Sequence, residues 1–180
     1  YHLGKLGWTD VVLLERKQLT CGTTWHAAGL IAQLRATQNM TRLAKYSQEL
    51  YFGLEEETGV ATGFKRNGSI TVALTDERME ELRRSAAMAR AFGVEIDEIS
   101  PSDIQSRYPG LTVDDAVGGV WLPKDGQAEP VNRTQALAKG ARDMGATIIR
   151  FCPVTGARRD KEEWVLSTPE GEIRCEYVVN

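Results

Sequence analysis

The residues best suited to chemistry lie in one loop, residues 19–30, which contains one of only two histidines in the chain. Glycine, alanine and threonine dominate this loop, so its backbone N–H groups and hydroxyls can approach a ligand closely. His26 lies near the middle of the loop. From the residues alone its imidazole is a solvated side chain, a ring satisfied by a neighbouring carbonyl, or a group that contacts or bonds to a cofactor.

Two charged residues flank this loop. Glu15 ends an apolar run, and in dinucleotide-binding folds an acid at such a strand end accepts hydrogen bonds from ribose hydroxyls. The alternative is a merely solvated strand end. Arg35 follows the loop, and its planar guanidinium is suited to a substrate carboxylate; the alternative is a surface arginine before a helix.

Metal and thiol chemistry find little support in the sequence. His2 is distant from His26, and no carboxylate or thiol stands at ligand spacing on one element, so no metal site is predicted. The cysteines are odd in number and lack CxxC spacing, which favours a reducing compartment over a disulfide framework. As a catalytic thiol, Cys21 has no base nearby in sequence.

Composition indicates a soluble globular protein with a small-molecule partner. The 180 residues are 42% hydrophobic and 26% charged, with a formal net charge of −3. Basic residues are spread along the chain rather than clustered, which excludes nucleic acid and anionic membranes as obvious partners. No apolar run approaches the roughly 20 residues of a membrane span, and no signal-peptide pattern begins the chain.

The elements that must position these residues indicate an α/β fold with an α+β insertion. Residues 10–16 predict a parallel strand covered on both faces, preceded by a helix end that Gly7 stops. A helix is predicted over 40–58, then a strand over 69–74. A further helix, capped by Thr75 or Asp76, ends at Gly93. The predicted inner faces of these two helices are Leu43, Ser47, Leu50 and Leu54, and Met79, Leu82, Ala86 and Ala89.

The second half returns to parallel strands. A short helix begins after Ser100 and ends before Pro109, and strands over 117–122 and 127–129 flank a turn at Asp125-Gly126. A helix over 131–144, a strand over 147–150 and a β-meander over 154–179 follow. In the later helix Leu137, Ala141 and Met144 should face inward. Because the chain begins with Tyr1 and ends within an apparent buried strand, 176–180, an internal fragment is expected.

The order of several motifs resembles one family across the whole chain. They are Glu15-Arg16, the 19–30 loop, and the segments 54–59, 67–70, 125–130 and 177–180. This order is similar to that of the sarcosine and dimethylglycine dehydrogenases, FAD-dependent oxidoreductases of the D-amino-acid-oxidase-like group. The resemblance implies a partial FAD-binding Rossmann-like sheet with the start of a substrate-binding domain. The implied domains are 1–38 for FAD binding without its glycine motif, 39–130 for substrate, and 131–180 for the return to FAD binding with the meander.

The same resemblance implies a cofactor site. His26 matches the histidine that bonds covalently to the 8α-methyl group of the flavin. Glu15 and Arg16 match the positions at the adenosine ribose, and the Val154 backbone matches the adenine contact. The residues expected to line the flavin and pyrophosphate are Gly22, Thr23, Thr24, Trp25, Ala27, Ala28, Gly29 and Leu30.

The implied reaction is oxidation of an N-methyl group on a glycine derivative, sarcosine or dimethylglycine. Hydride passes from the methyl carbon to the flavin, and the resulting iminium releases formaldehyde to water or passes its carbon to tetrahydrofolate. A protein electron acceptor is implied, in the cytoplasm of a bacterium or the mitochondrial matrix of a eukaryote. The alternatives are a related oxidase and a non-catalytic regulatory relative; the intact motif around His26 argues against the latter. The fragment alone is expected to be inactive.

Overall fold

A computed structural model describes all 180 residues as two compact units, each built from separate stretches of chain. Unit 1 comprises Tyr1–Ala27, Leu54–Ala61 and Pro130–Asn180; unit 2 comprises Ala28–Gly53 and Thr62–Glu129. The predicted domain boundaries after residues 38 and 130 divide the chain by what each part binds, FAD or substrate, and they stay a prediction.

The helices are α1 (His2–Lys5), α2 (Gln38–Thr58), α3 (Asp76–Ala91), α4 (Pro101–Arg107) and α5 (Pro130–Asp143). The strands are β1 (Val12–Glu15), β2 (Leu30–Ile31), β3 (Ser69–Ala73), β4 (Asp97–Ile99), β5 (Gly118–Leu122), β6 (Gly126–Gln127), β7 (Thr147–Arg150), β8 (Gly156–Asp160), β9 (Glu163–Thr168) and β10 (Gly171–Cys175).

In unit 1 a parallel pair of strands carries the region that the sequence singled out. β1 and β7 pair in parallel register, with Glu15 opposite Arg150, and α5 packs against β7. The predicted parallel strands are therefore confirmed. The predicted burial of β1 on both faces is wrong, because Val12 and Leu13 are 44% and 45% exposed. A sheet of two strands, with a helix packed against one of them, leaves part of its apolar surface to solvent.

The β-meander of unit 1 is confirmed in its strands but not at its end. β8, β9 and β10 form an antiparallel sheet, and Arg158 is joined to Glu172 across it by two hydrogen bonds of 2.8 and 3.0 Å. The predicted strand over 176–180 is wrong: β10 ends at Cys175 and the following residues are exposed. No neighbouring strand of the chain offers them ladder partners, so apolar sequence alone does not make a strand there.

Three side chains tie α1 to the end of α2 in unit 1. The Tyr1 hydroxyl donates to Glu57 Oε2 at 2.6 Å, and Lys5 Nζ lies 2.7 Å from Glu57 Oε1. The hydrogen bond from Lys5, followed by that from Tyr1, lowers the pKa of Glu57 below its ordinary value. A carboxylate held in this way stabilises the folded state only while it is ionised.

This cluster predicts a pH-dependent loss of stability. Because the Glu57 pKa is lower when folded than when unfolded, its contribution is complete above the unfolded value, roughly pH 4, and is lost as the pH falls through the folded value. Glu57→Gln should therefore lower the free energy of unfolding modestly at pH 7, and the difference from the parent should shrink below about pH 4. Urea unfolding at both pH values measures this. The exposed neighbour serves as control: Glu56→Gln should show no such pH-dependent difference.

Unit 2 is an antiparallel sheet packed against α3. The strand order is β3-β5-β4, and the cap of α3 is Thr75, whose hydroxyl accepts from the Arg78 N–H at 3.2 Å. α4 begins with a complete capping box between Ser100 and Asp103 and ends before Pro109, as predicted. The predicted inner face of α3 is confirmed in full. The buried core comprises Ala73, Met79, Leu82, Ala86, Ala89, Val94, Ile96, Val120 and Leu122.

The buried faces of α2 and α5 differ in part from those predicted. In α2, Leu54 is fully buried as expected, but Leu43 is 57% exposed, while Thr41 and Gln48 are fully buried. The apolar stripe missed this face because its polar side chains are satisfied by internal hydrogen bonds rather than by solvent. In α5, Ala141 is buried as predicted, whereas Leu137 is only half-buried; Met144, predicted to end this helix, lies just after it and is also half-buried.

The segment around Asp125 differs most from its prediction. We expected a turn at Asp125-Gly126 and a strand over 127–129, but Gly126 and Gln127 form β6, which pairs antiparallel with β2. On its other side Gln127 exchanges two backbone hydrogen bonds with Lys65, of 2.8 and 3.0 Å. The approach is so close that a Cβ on Gly126 would lie 2.1 Å from the Lys65 carbonyl oxygen. Glycine here permits strand contact rather than a turn.

Candidate functional site

The predicted nucleotide-binding residues of unit 1 lie at the carboxyl ends of β1 and β7, where open α/β sheets bind ligands. Glu15 is half-buried, and its Oε1 accepts from the Lys17 N–H at 2.8 Å. The strand pairing continues beyond β7, since the Cys152 N–H donates to the Glu15 carbonyl at 2.9 Å. This brings the segment that leads to Val154, itself exposed, to the edge that carries Glu15.

Backbone strain marks the same edge. Thr20 has φ of 74° and Phe151 has φ of 59°, in the left-handed region that residues with a Cβ rarely adopt. The Phe151 N–H donates to the Lys17 carbonyl at 2.9 Å, which helps to hold this conformation. Strained residues cluster at ligand sites, at about 1–3 kcal/mol each. Sequence reasoning missed both positions, because neither is glycine or asparagine.

The small-residue loop after β1 is exposed and tightly turned. Residues Thr24–His26 form one 3₁₀ turn, in which the His26 N–H donates to the Thr23 carbonyl at 3.2 Å. The turn lies against α5, also in unit 1. Gly22 and Thr23 are exposed and Thr24 is half-buried, and a Cβ on Gly22 would meet no atom within 4 Å. The loop therefore presents backbone and short side chains beside open space.

The His26 imidazole contacts its neighbouring indole. The ring centroids of Trp25 and His26 lie 3.9 Å apart with an interplanar angle of 33°. Trp25 is 58% exposed, and His26 and Ala27 are also exposed. The tilted contact with the indole limits the directions that the imidazole can take. The exposed ring agrees both with an imidazole open to a ligand and with a solvated side chain.

The remaining residues of the predicted flavin-lining stretch belong to unit 2. Ala28 is exposed, whereas Gly29 is buried and its carbonyl accepts from the Ala128 N–H at 2.9 Å. Leu30 begins β2 and is 75% exposed. Of the residues predicted to contact the cofactor, those up to Ala27 and Val154 belong to unit 1, and Ala28, Gly29 and Leu30 belong to unit 2.

The chemistry of these groups fits FAD. Only one carboxylate oxygen of Glu15 is engaged by Lys17, so the other is suited to a ribose hydroxyl. Exposed glycine and threonine in the loop suit close backbone approach to a dinucleotide. The accessible His26 ring supplies a nucleophilic nitrogen where a covalent bond is predicted.

In unit 2 Arg35 is exposed while its backbone is held firmly. Thr41 Oγ1 accepts from the Arg35 N–H at 3.1 Å and donates to the Arg35 carbonyl at 3.2 Å. The guanidinium Nη1 donates to the Leu34 carbonyl at 2.9 Å. Exposure of the side chain agrees with both interpretations of Arg35, and its role stays a prediction.

A buried polar network lies beside Arg35 in unit 2, and sequence reasoning missed it. Asp125 is 3% exposed; its Oδ1 accepts from the Gln33 N–H at 2.9 Å, and its Oδ2 accepts from the Ser69 hydroxyl at 2.7 Å. The Gln33 amide donates to Gln48 Oε1, and the Gln48 amide donates to the Lys124 carbonyl. The sequence offered one sign of a buried polar face. Thr41 and Gln48 are seven residues apart and therefore lie on the same face of α2.

Three further properties of the molecule bear on function. No group of three or more histidine, cysteine, aspartate or glutamate side chains lies close enough together to hold a metal ion. The cysteines are unpaired, with Cys21 exposed and Cys152 buried. None of the helices combines the length and the apolar character needed to cross a membrane.

Comparison with known proteins supports the assignment that this geometry suggests. The FAD dependent oxidoreductase (DAO) family model matches residues 1–180. The chain is 39% identical over 187 residues to mitochondrial sarcosine dehydrogenase of Homo sapiens, and 40% identical over 181 residues to mitochondrial dimethylglycine dehydrogenase of the same organism. All of the chain is matched in both cases, together with 20% and 21% of those proteins.

The fold is similar to that of a solved dehydrogenase. L-proline dehydrogenase from P. horikoshii superposes with a TM-score of 0.88 at 28% identity, over 96% of this chain and 46% of that one. The chain thus spans about a fifth of the length of these two curated dehydrogenases, and under half of this solved structure. Since the family model covers every residue, the chain belongs to the FAD dependent oxidoreductase (DAO) family.

Proposed function

We propose that the complete protein oxidises an N-methyl group of a small amino acid, with sarcosine or dimethylglycine as the substrate class, and carries FAD bonded covalently to His26. The observation that carries this proposal is the exposed imidazole of His26, held on a small-residue loop after a parallel strand that ends in Glu15. The similarity to two dehydrogenases of N-methylated glycines supports the substrate class.

Each of the predicted site residues has its own role in this proposal. The bound flavin would supply two-electron oxidation. The Glu15 carboxylate accepts a hydrogen bond from a ribose hydroxyl and Arg16 lies beside the ribose, while the Val154 backbone contacts the adenine. Gly22, Thr23, Thr24 and Trp25, followed by Ala27 to Leu30, line the cofactor with backbone groups, and His26 fixes it in place. Transfer of the oxidised carbon to tetrahydrofolate and a protein electron acceptor are further proposals for the complete protein.

Arg35 is proposed to bind the substrate carboxylate, which predicts a selective loss of affinity. Arg35→Ala should raise KM for dimethylglycine about 10- to 100-fold, because a charge-assisted hydrogen bond is lost. The KM for N,N-dimethylethylamine, which lacks the carboxylate, should not change. Steady-state kinetics of the complete protein measure both constants. The exposed Arg42 provides the matched control, since Arg42→Ala should alter neither. An equal rise for both amines would contradict the role of Arg35.

The substrate class is tested by a panel of N-methylated compounds. The complete protein is assayed with sarcosine, dimethylglycine and proline betaine, with an artificial electron acceptor and, separately, with oxygen alone. Turnover of an N-methyl amine with the artificial acceptor supports a dehydrogenase, and hydrogen peroxide formation in air supports a related oxidase. Bound flavin without turnover of any of these compounds would contradict the proposal and favour a regulatory relative.

A further inference from the structure

We propose that Asp125 is a positioning residue, which holds the segment 31–35, termed the strap, in the register that presents the Arg35 guanidinium to a substrate carboxylate. The inference rests on the proposed function, in which Arg35 binds that carboxylate. All the residues involved lie within unit 2.

The hydrogen bonds around Asp125 form a closed ring through the strap. The Gln33 N–H donates to Asp125 Oδ1 at 2.9 Å, while the Gln33 side-chain amide donates to Gln48. Gln48 in turn donates to the carbonyl of Lys124, the residue before Asp125. Sliding the strap by one residue would break both bonds of Gln33 at once. The ring therefore defines the register of the strap more firmly than β2, which is only two residues long.

The charge of Asp125 is costly for a purely structural residue. Its side chain is nearly inaccessible to solvent, and both of its donors, the Gln33 N–H and the Ser69 hydroxyl, are neutral groups. Burial of a carboxylate without a cationic partner is unfavourable compared with burial of an apolar side chain of similar size. At this position the acid adds directional hydrogen bonds, which an apolar residue could not make.

Three consecutive strap residues connect Asp125 to the exposed guanidinium. Gln33 is bonded within the ring, Leu34 packs against the hydrophobic core, and the Arg35 backbone is bonded at both its N–H and its carbonyl by Thr41. Only the Arg35 side chain extends to the exterior. Its guanidinium uses one donor for the Leu34 carbonyl, out of five that arginine offers. The strap thus holds a cationic fork that can engage an anionic ligand.

The first test compares KM values in the complete protein. Asp125→Ala should raise KM for dimethylglycine about tenfold and leave KM for N,N-dimethylethylamine unchanged, because the affected contact is to the carboxylate. Asp125→Asn keeps an oxygen to accept from Gln33 and should largely restore the affinity. Ser69→Ala is the matched control, since it removes the other donor to Asp125 without altering the strap. An equal rise in KM for both amines would overturn the inference.

A double-mutant cycle tests whether Asp125 acts through Arg35. In an Arg35→Ala background, Asp125→Ala should cause no further rise in KM for dimethylglycine, since the contact it positions is already absent. Additive effects would mean that Asp125 acts elsewhere and would overturn the inference. If the parent oxidises neither amine, the proposed function fails and the inference fails with it. Turnover of both amines with additive effects removes the inference alone.

Hydrogen–deuterium exchange measures the strap without any turnover. A peptide covering residues 31–35 should exchange faster in Asp125→Ala than in the parent, whereas Ser69→Ala should leave its exchange unchanged. If Asp125→Ala does not fold, Asp125→Leu serves in its place, because it fills a similar volume and accepts no hydrogen bond from the Gln33 N–H. Asp125→Asn, which keeps an oxygen to accept from the Gln33 N–H, should behave as the parent. Unchanged exchange in a folded variant would overturn the inference.

Discussion

Replacement of His26 by alanine is expected to abolish covalent flavin attachment, from near-complete occupancy in the parent to background. The variant removes the nucleophilic ring nitrogen while leaving the small-residue loop, the Glu15 edge and the strained residues Thr20 and Phe151 in place. Noncovalent FAD should therefore still bind, and acid precipitation should release it into the supernatant. Flavin fluorescence of the denatured polypeptide measures the attached fraction.

The control for this experiment is the only other histidine of the chain. His2 belongs to α1, so His2→Ala should retain the covalent flavin. Fluorescence that stays with the denatured His26→Ala polypeptide would show attachment through another residue. Release of all the flavin from the parent would instead contradict covalent attachment and leave the family assignment intact, because that assignment does not depend on the bond.

Replacement of Gly126 by alanine is expected to destabilise unit 2 by about 2–3 kcal/mol. The added Cβ would lie 2.1 Å from the Lys65 carbonyl oxygen and 3.2 Å from the Arg66 Cα, and backbone atoms cannot move aside as a flexible side chain can. To relieve the clash, β6 would have to move away from Lys65. That movement would break the two backbone hydrogen bonds between Gln127 and Lys65. Urea unfolding of the complete protein, followed by fluorescence, measures the loss.

A second glycine of unit 2 gives the opposite expectation. Gly53 lies within α2, and a Cβ there would meet no atom within 4 Å. Gly53→Ala should stabilise the protein by about 0.5–1 kcal/mol, because alanine has the higher helix propensity. If both variants lost stability equally, the effect could not come from the close approach at Gly126.

The predicted buried face of a helix was right where the buried residues are apolar, and incomplete where some of them are polar. In α3 the buried face consists of Met79, Leu82, Ala86 and Ala89, so apolar spacing alone predicted it. In α2 the buried positions include Thr41 and Gln48, which a hydrophobic stripe cannot reveal. The same distinction applies to Asp125. Its acidic side chain and the following glycine favour a turn by local propensity, whereas Gln33 and Ser69 hold it inside unit 2.

For the candidate site, the order of motifs along the chain was enough to indicate the family and to select His26. Local chemistry alone left that histidine with several interpretations. Its ring contact with Trp25 and its exposure came only from the folded loop. The strain at Thr20 and Phe151 also depends on folding, since the Phe151 conformation is held by Lys17, more than a hundred residues away in sequence.

The sequence by itself determined most of the helices and strands, the parallel type of β1 and β7, the inner face of α3 and the family, because these depend on local periodicity, capping and the order of motifs. Only the tertiary structure decided the burial of Asp125, the pairing of β6 with β2, the support of the Arg35 backbone and the end of the meander at Cys175. These features depend on which distant groups meet. A polar side chain becomes buried, or an apolar stretch becomes a strand, only where the fold supplies its hydrogen-bond partners.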